Sequence, residues 1–288
     1  MELKLDRVTK QYGKKIAVER FSTTLHSGVY GLLGANGAGK TTLLRMLADL
    51  LQPTAGDITL DGISIYDMGE QYRDLLGYLP QNFGFYPDFT AEDFMIYLAA
   101  VKGIEKETAK RRTKELLGIV GLEENAKQKI KTFSGGMVRR LGIAQALLND
   151  PMILILDEPT AGLDPKERIR FRNLISEISA DRIVILSTHI VSDVENIAKQ
   201  ILVMKDGELL KKGTTEEIAA LAKGKVWSAY VPQTKVSQLK HSCVIANIKL
   251  NGEIAELRII AEECPLQEAN AVIPNLEDAY LYCFGEDA

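Results

Sequence analysis

Residues 34–41 read Gly34-Ala35-Asn36-Gly37-Ala38-Gly39-Lys40-Thr41 and satisfy the pattern G-x-x-x-x-G-K-[ST] at every fixed position. The apolar residues 29–33 before this segment predict a buried strand, and residues 42–48 after it predict a helix. Glycines let successive backbone N–H groups turn toward phosphate oxygens, and the positive end of the helix that follows points at the same anion. Segment 34–41, the phosphate-binding loop, therefore predicts a phosphate site between a strand and a helix of an α/β fold.

The same loop predicts how a nucleotide and Mg²⁺ are held. Lys40 is expected to reach the β- and γ-phosphates, and the Thr41 hydroxyl is expected to bind Mg²⁺. The residues expected to contact the nucleotide from this part of the chain are Gly34, Ala35, Asn36, Gly37, Ala38, Gly39, Lys40, Thr41 and Thr42.

The composition limits the other possibilities. The hydrophobic content of 46% and the charged content of 26% are typical of a soluble protein, and no apolar run approaches the ~18 residues of a membrane span. A net charge of -4 gives no overall attraction to nucleic acid, so no nucleic-acid partner is expected. Residues 1–5 do not resemble a signal peptide, and the three cysteines, Cys243, Cys264 and Cys283, are therefore expected to be free thiols.

Two acidic residues, Asp157 and Glu158, follow the apolar residues 153–156. A carboxylate at the carboxyl end of a parallel strand lies at the sheet edge where ligands bind. Asp157 can help to hold Mg²⁺ from outside its inner ligand sphere, and Glu158 can polarise a water molecule for attack on the γ-phosphate. Many strands end in Asp or Glu, so this pair is informative because it accompanies a phosphate-binding loop.

A second helix start follows Ser134-Gly135-Gly136-Met137. Ser134 is a good N-cap residue, and a loop that merely caps a helix is the ordinary explanation for such a segment. The two glycines also leave the helix N-terminus open to an anion. Because the phosphate-binding loop already has its own helix, we interpret this second helix start as a contact for a different nucleotide.

In this order, the motifs of residues 1 to about 220 resemble those of the ATP-binding subunit of an ABC transporter, most closely the exporter-type subfamilies. Thr132-Phe133-Ser134-Gly135-Gly136-Met137 resembles the family signature, although Met137 stands where glutamine is commoner and cannot donate its hydrogen bonds. Met137 followed by Arg139-Arg140 resembles the variant of several exporter subfamilies, so we interpret it as a mark of subfamily.

The resemblance implies roles for further residues. It implies that Tyr12 stacks on adenine and that Gln81 links Mg²⁺ and the attacking water to the membrane partner. It implies that His189 contacts the γ-phosphate and that the loop 161–164, which ends at Asp164, crosses the dimer interface. The predicted catalytic residues are Glu158, His189 and Gln81, and the predicted metal site comprises Thr41, Gln81 and Asp157.

The resemblance also implies partners and a location. Each ATP is expected between the phosphate-binding loop of one subunit and Ser134, Gly135, Gly136 and Asp164 of another. Since each motif occurs once, a homodimer is the simplest arrangement. The subunit is expected in the cytoplasm, peripheral on the inner face of the cell membrane, where ATP with Mg²⁺ powers a permease encoded on another chain.

Other ABC-type ATPases act on ribosomes, on DNA or in cofactor assembly, and they form the alternative class. The DNA-maintenance members carry a long coiled coil between the two halves, whereas the segment 82–133 between Gln81 and Ser134 has no sustained heptads. Ribosome-acting members usually join two ATPase domains in one chain, and this chain has one. Import remains open beside export, and the cargo is chosen by permease residues.

The predicted fold is a P-loop NTPase core with a parallel sheet, a strand-rich N-terminal subdomain, a helical insert and a small C-terminal α+β accessory domain. The ATP-binding domain is expected at 1–222, with the helical insert at about 88–148, and the accessory domain at 223–288. A chain that ends near Ala222 is therefore expected to fold and bind ATP. Ser192, with Glu195 three residues later, predicts a helix start after His189.

The segment 82–89, the aromatic loop, joins the core to the helical insert and contains Phe83, Phe85, Tyr86 and Phe89. These aromatic residues can simply pack the insert against the core. They can also form a docking groove for a helix of another protein, with Gln81 beside it to report the state of the nucleotide. The sequence leaves both interpretations open.

Overall fold

The computed structural model describes residues 1–239 and 242–285 of the chain. Residues 240–241 and 286–288, within the predicted accessory domain, lie outside the described residues. The strands are Leu3–Tyr12 (β1), Lys15–Leu25 (β2), Gly28–Leu33 (β3), Ala55–Leu60 (β4), Ile63–Ser64 (β5), Leu76–Leu79 (β6), Ile153–Asp157 (β7), Ile183–Thr188 (β8), Gln200–Lys205 (β9), Glu208–Gly213 (β10), Val226–Pro232 (β11), Val244–Asn251 (β12), Ile254–Ile260 (β13) and Asn270–Ala271 (β14).

The α-helices are Lys40–Leu47 (α1), Ile65–Met68 (α2), Glu70–Asp74 (α3), Ala91–Val101 (α4), Lys106–Ile119 (α5), Gly135–Ala146 (α6), Pro165–Ile178 (α7), Thr215–Ala219 (α8), Gln233–Leu239 (α9) and Leu276–Phe284 (α10). Short 3₁₀-helices occupy Glu123–Asn125, Ile130–Thr132, Val191–Asp193 and Ala220–Ala222.

A six-stranded sheet forms the centre of the molecule, in the order β10-β9-β3-β8-β7-β6. The strands from β9 to β6 run parallel, and β10 pairs antiparallel with β9. The parallel strands are apolar and buried on both faces, as expected for strands covered by helices and a second sheet. This arrangement confirms the predicted α/β fold.

Two-residue hairpins follow the Asp-Gly pairs of the sequence. In the N-terminal sheet, ordered β2-β1-β4-β5, Asp61 and Gly62 join β4 to β5 with φ values of 48° and 85°. Asp206 and Gly207 join β9 to β10 with φ values of 50° and 87°. Positive φ at both central residues is what a type I′ turn requires, so these pairs determine where the strands reverse.

The segment between β6 and β7 carries α4, α5 and α6, where the sequence predicts the helical insert. The Thr90 hydroxyl caps α4 by accepting from Asp93 N, and Ser134 Oγ caps α6 by accepting from Met137 N at 3.2 Å. The helices bury their apolar faces in the same cluster that covers one face of the central sheet. The signature segment therefore begins a helix that packs on the sheet.

The predicted helix start at Ser192 is wrong. The chain forms only the 3₁₀-helix Val191–Asp193 there, and the described residues between β8 and β9 contain no α-helix. Asp193 is buried, accepts a hydrogen bond from the Thr160 hydroxyl and lies 4.0 Å from Arg168. These tertiary contacts hold Asp193 inside the core, and they outweigh the local capping pattern.

The C-terminal residues form a four-stranded antiparallel sheet in the order β12-β13-β11-β14, with its own apolar cluster. Helix α10 does not join that cluster. Its residues Leu276 and Ala279 are buried with Val203 and Ile218 in a cluster of the ATP-binding domain. The last helix thus packs on the predicted ATP-binding domain, and the division at 222 remains a prediction.

Polar contacts hold α10 from both sides. The Arg258 guanidinium of β13 pairs with buried Asp278, with Nη2 at 2.6 Å from Oδ2. Lys205 Nζ, at the end of β9, donates to Cys283 O at 2.8 Å near the C-terminus of the helix. Helix α10 therefore connects the C-terminal sheet to the central sheet. The three cysteines are free thiols, as expected.

The position of α10 predicts a stability difference between two neighbouring apolar residues. Leu276 is 1% exposed, so Leu276→Ala should lower the free energy of unfolding by about 2–5 kcal/mol. Ile273 is 90% exposed, and Ile273→Ala should change it by no more than about 0.5 kcal/mol. Urea denaturation followed by circular dichroism measures both. Equal, small effects would show that α10 does not stabilise the core.

Candidate functional site

The phosphate-binding loop connects β3 to α1 and packs against two strands. Gly39 has a φ of 101°, and a Cβ atom on it would lie 2.2 Å from Ala17 O of β2. A Cβ atom on Gly34 would lie 2.4 Å from Met204 O of β9. Only glycine fits at these two positions, because any side chain there would collide with the backbone. The sequence pattern therefore fixes the loop tightly against the strands.

Lys40 begins α1 and its side chain folds back into the loop. Its Nζ donates to Gly34 O at 2.7 Å and to Ala35 O at 3.1 Å. Burial lowers the pKa of Lys40, whereas the negative charges of Glu158 and Asp157 oppose that shift. The ammonium group is thus held within the loop, near the two carboxylates at the carboxyl end of β7.

The two carboxylates are both buried at the carboxyl end of β7. Ser187 of β8 joins them: its Oγ donates to Asp157 Oδ1 at 2.5 Å and accepts from Glu158 N at 3.1 Å. Asp157 Oδ2 is buried without a hydrogen-bond partner among the described residues. A buried, unpartnered carboxylate oxygen on a residue that lines the same cleft as Thr41 suits the hydration shell of Mg²⁺, so these residues fit the predicted ion.

His189 follows β8, and its side chain lies beside Glu158. The distance from His189 Nδ1 to Glu158 Oε2 is 2.9 Å, although the two groups are not aligned as a hydrogen bond. The imidazole is 50% exposed, whereas the carboxylate is almost fully buried. The structure therefore brings together the two residues predicted to act at the γ-phosphate, with His189 on the solvent side.

Lys40, Asp157 and Glu158 line one cleft of about 320 Å³, whereas His189 is not among the described residues that line it. Ten of its lining residues were predicted from the sequence to bind nucleotide or metal or to take part in catalysis: Tyr12, Asn36, Gly37, Gly39, Lys40, Thr41, Thr42, Gln81, Asp157 and Glu158. Gly34 and Ala35 contribute the carbonyl groups that hold Lys40, and Ala38 is buried beneath the loop. Residues from four separate parts of the chain, at 12, 36–42, 81 and 157–158, thus line one cleft.

The sequence did not indicate two of the cleft residues, Lys15 and Ala17. Lys15 pairs with Tyr12 across the turn between β1 and β2, so its side chain lies at the same end of the hairpin. Lys10 also places its ammonium group 5.5 Å from the centre of the Tyr12 ring. The pairing of β1 with β2 is the only signal that could have found Lys15, since it belongs to none of the motifs.

The residues predicted to contact the nucleotide of a partner lie elsewhere. Ser134, Gly135, Gly136 and Asp164 are not among the described residues that line the cleft. Asp164 Oδ1 caps α7 by accepting from Glu167 N at 2.8 Å, and Glu167 packs against Gly136 at the start of α6. The starts of α6 and α7 therefore form a second surface.

Comparison with known proteins agrees with this geometry. The family model described as ABC transporter matches residues 18–161, which include the phosphate-binding loop, the signature segment and the carboxylates after β7. The chain belongs to the ABC transporter family. It is an ATP-binding subunit of that family.

Two curated relatives and one solved structure illustrate the similarity of this ABC subunit. The uncharacterized ABC transporter ATP-binding protein YxlF of Bacillus subtilis is 41% identical over 75% of this chain and 72% of its own length. The Nod factor export ATP-binding protein I of Burkholderia orbicola is 33% identical over 97% of this chain and 96% of its own length. A dimeric ATP-binding cassette with bound ADP and Pi is 27% identical over 74% of this chain and 98% of its own, with a TM-score of 0.68.

Among the described residues of this ABC subunit, no helix is both long and apolar enough to cross a membrane.

Proposed function

We propose that the chain binds ATP with Mg²⁺ and hydrolyses it between two copies of itself to drive a permease on a separate chain. The observation that supports this proposal most directly is the convergence of Lys40, Gln81, Asp157 and Glu158 on one cleft. A buried cation in a glycine-rich loop faces two buried carboxylates there. That set of groups suits a phosphoryl group, a metal ion and an attacking water.

Each residue has a specific task in this proposal. The backbone N–H groups of the phosphate-binding loop and the Lys40 ammonium hold the phosphates, and Tyr12 covers the adenine ring. Thr41, Gln81 and Asp157 would hold Mg²⁺, which would supply positive charge to the phosphoryl group that is transferred. Glu158 accepts a proton from the attacking water while His189, 2.9 Å away, contacts the γ-phosphate.

A second subunit completes the site. None of Ser134, Gly135, Gly136 and Asp164 lines the cleft, and these residues lie on the separate surface at the starts of α6 and α7. In a head-to-tail dimer, this surface of one copy closes the cleft of the other. One cassette of similar fold has been solved as a dimer with ADP and Pi, which supports the same arrangement here.

The aromatic loop supports docking to the permease. Phe83, Phe85 and Phe89 are partly buried against the core, so the packing interpretation accounts for these three. Tyr86 is 48% exposed and Val101 is 67% exposed, and both line a groove of about 580 Å³ beside the loop. A largely apolar groove of this kind fits a helix from another protein.

We assign that helix to a permease in the cell membrane, so the subunit would act at the inner face. Export is the proposed direction, in keeping with the relative named for Nod factor export. The docking groove is lined by Pro80 and Phe83, which lie on either side of Gln81 in the chain, and Gln81 itself lines the nucleotide cleft. A change at the nucleotide site can therefore alter the docking groove through residues that adjoin Gln81 in the chain.

Glu158→Gln tests the proposed base. Removal of a positioned general base should lower the rate of ATP hydrolysis by about 10²–10⁴-fold while ATP binding is retained. The variant should accumulate as an ATP-bound dimer, which size-exclusion chromatography detects. Glu124→Gln, at an exposed position outside the cleft, is the control and should hydrolyse ATP normally. Near-normal turnover by Glu158→Gln would refute the assignment.

Tyr86→Ala and Val101→Asp test the docking groove. Both residues are exposed, so basal ATP hydrolysis should remain while co-purification of the permease from detergent-solubilised membranes falls by at least about tenfold, the effect of losing an interface contact worth ~1.4 kcal/mol. Leu50→Asp changes an equally exposed apolar residue outside the groove and should retain the permease. Unchanged co-purification would leave only the packing interpretation. Capture of ribosomes or DNA instead would favour the alternative class of ATPase.

A further inference from the structure

Arg139 of α6 is buried and makes an unusual set of hydrogen bonds. Its guanidinium donates to five backbone carbonyl groups that belong to two separate segments of the chain. Nη1 reaches Pro80 O at 3.3 Å and Gln81 O at 2.9 Å. Since an arginine has five N–H donors in a rigid plane, a single side chain can hold both segments at once.

The second segment is the turn after β7. Arg139 Nη2 donates to Asp157 O at 2.6 Å and to Glu158 O, and Nε donates to Pro159 O at 3.1 Å. Three consecutive carbonyl groups therefore point toward one guanidinium. They turn away from the nucleotide cleft, which the side chains of Asp157 and Glu158 line from the other side.

The backbone of this turn needs such support. Glu158 has a φ of 51°, in the left-handed region that non-glycine residues rarely adopt. A backbone in that region persists only when its surroundings hold it there. The hydrogen bonds from Arg139 hold this turn in place together with those from Glu158 N to Ser187 Oγ and Ser187 O and from Ala161 N to Glu158 O.

The charge of Arg139 suits this place as well. Burial lowers the pKa of the guanidinium, and the nearby carboxylates of Asp157 and Glu158 oppose that shift. Gln145, further along α6, also donates to Tyr78 O at 2.9 Å. Helix α6 therefore contacts β6 through Gln145 and the segment after β6 through Arg139. Helix α6, which begins at the signature segment, is therefore joined both to the segment at Gln81 and to the turn at Glu158.

We propose that Arg139 is a positioning residue for ATP hydrolysis, because it fixes Gln81 and Glu158 relative to each other and to the start of α6. This role rests on the proposed function. Arg139 does not touch the nucleotide, so it acts on the rate and not on binding. The same contacts connect the surface that meets the partner's nucleotide with the carboxylate that acts on the subunit's own nucleotide.

Arg139→Lys is the informative variant, since it keeps the charge but cannot span both segments with one ammonium group. The kcat for ATP hydrolysis should fall by about 10- to 100-fold, as expected for a small displacement of a catalytic group. The KM for ATP should change by less than about twofold, because a group that acts only in the transition state affects kcat and not ground-state binding.

Arg182→Lys is the matched control. Arg182 is also partly buried and donates to a backbone carbonyl, Pro151 O at 2.9 Å, but it does so at the opposite end of β7 from the cleft. Its replacement by lysine should lower the thermal stability and leave kcat unchanged. Circular dichroism of both variants gives the fraction of folded protein to which each kcat is normalised.

The double variant separates positioning from general damage. In the Glu158→Gln background, Arg139→Lys should cause little further loss, because the group that Arg139 positions is already absent. An equal loss in both backgrounds, or a kcat that falls only in step with the folded fraction, would overturn the role. If the wild-type chain hydrolyses ATP and Arg139→Lys has the same kcat, only this inference is overturned. Absence of hydrolysis by the unchanged chain would overturn the proposed function, and this role with it.

Discussion

The parallel register of β3, β8 and β7 is the constraint on which the rest of the site depends. Leu33 at the end of β3 pairs with Thr188 of β8, and Ser187 of β8 pairs with Asp157 at the end of β7. Because the three strands end at the same level, the loop after β3, the carboxylates after β7 and the histidine after β8 must meet. Each strand is buried on both faces in two apolar clusters, so a shift of register would bury polar groups.

The site combines a favourable fold with locally costly features. Glu158 holds a left-handed backbone conformation that costs about 1–3 kcal/mol, and Asp157 keeps a buried oxygen without a hydrogen-bond partner in the described structure. Lys40 is buried, and burial disfavours its charged form and so lowers its pKa. These three features meet at one cleft, although left-handed residues and buried polar atoms without partners also occur elsewhere among the described residues. Their coincidence at a cleft is typical of groups that are arranged for a ligand and not for stability.

The sequence predicted those parts of the structure that local patterns determine. Gly34 and Gly39 fix the strand–loop–helix unit, and Ser134 caps the helix that was expected after it. The pairing of Asp157 with Glu158 became informative only through the phosphate-binding loop. In each of these places, the residue type and its spacing carry the information.

What the sequence did not predict depends on contacts between distant segments. Lys15 enters the cleft because of strand pairing, and Arg139 reaches carbonyl groups of two segments that are far from it along the chain. Asp193 is drawn into the core in place of the expected helix start, and Leu276 packs on the central domain although a separate unit was expected. No local pattern marks these positions, because the partners are distant in the sequence.

The central claim is that ATP hydrolysis requires residues from two copies of the chain. The most direct measurement is the rate of Mg²⁺-dependent ATP hydrolysis per chain over a wide range of protein concentrations, with the purified subunit alone. If Ser134 and Asp164 of one copy complete the cleft of another, the rate per chain rises with concentration and levels off once the dimer is saturated. A rate per chain that is constant from the lowest concentration, with the protein monomeric throughout, would contradict the account.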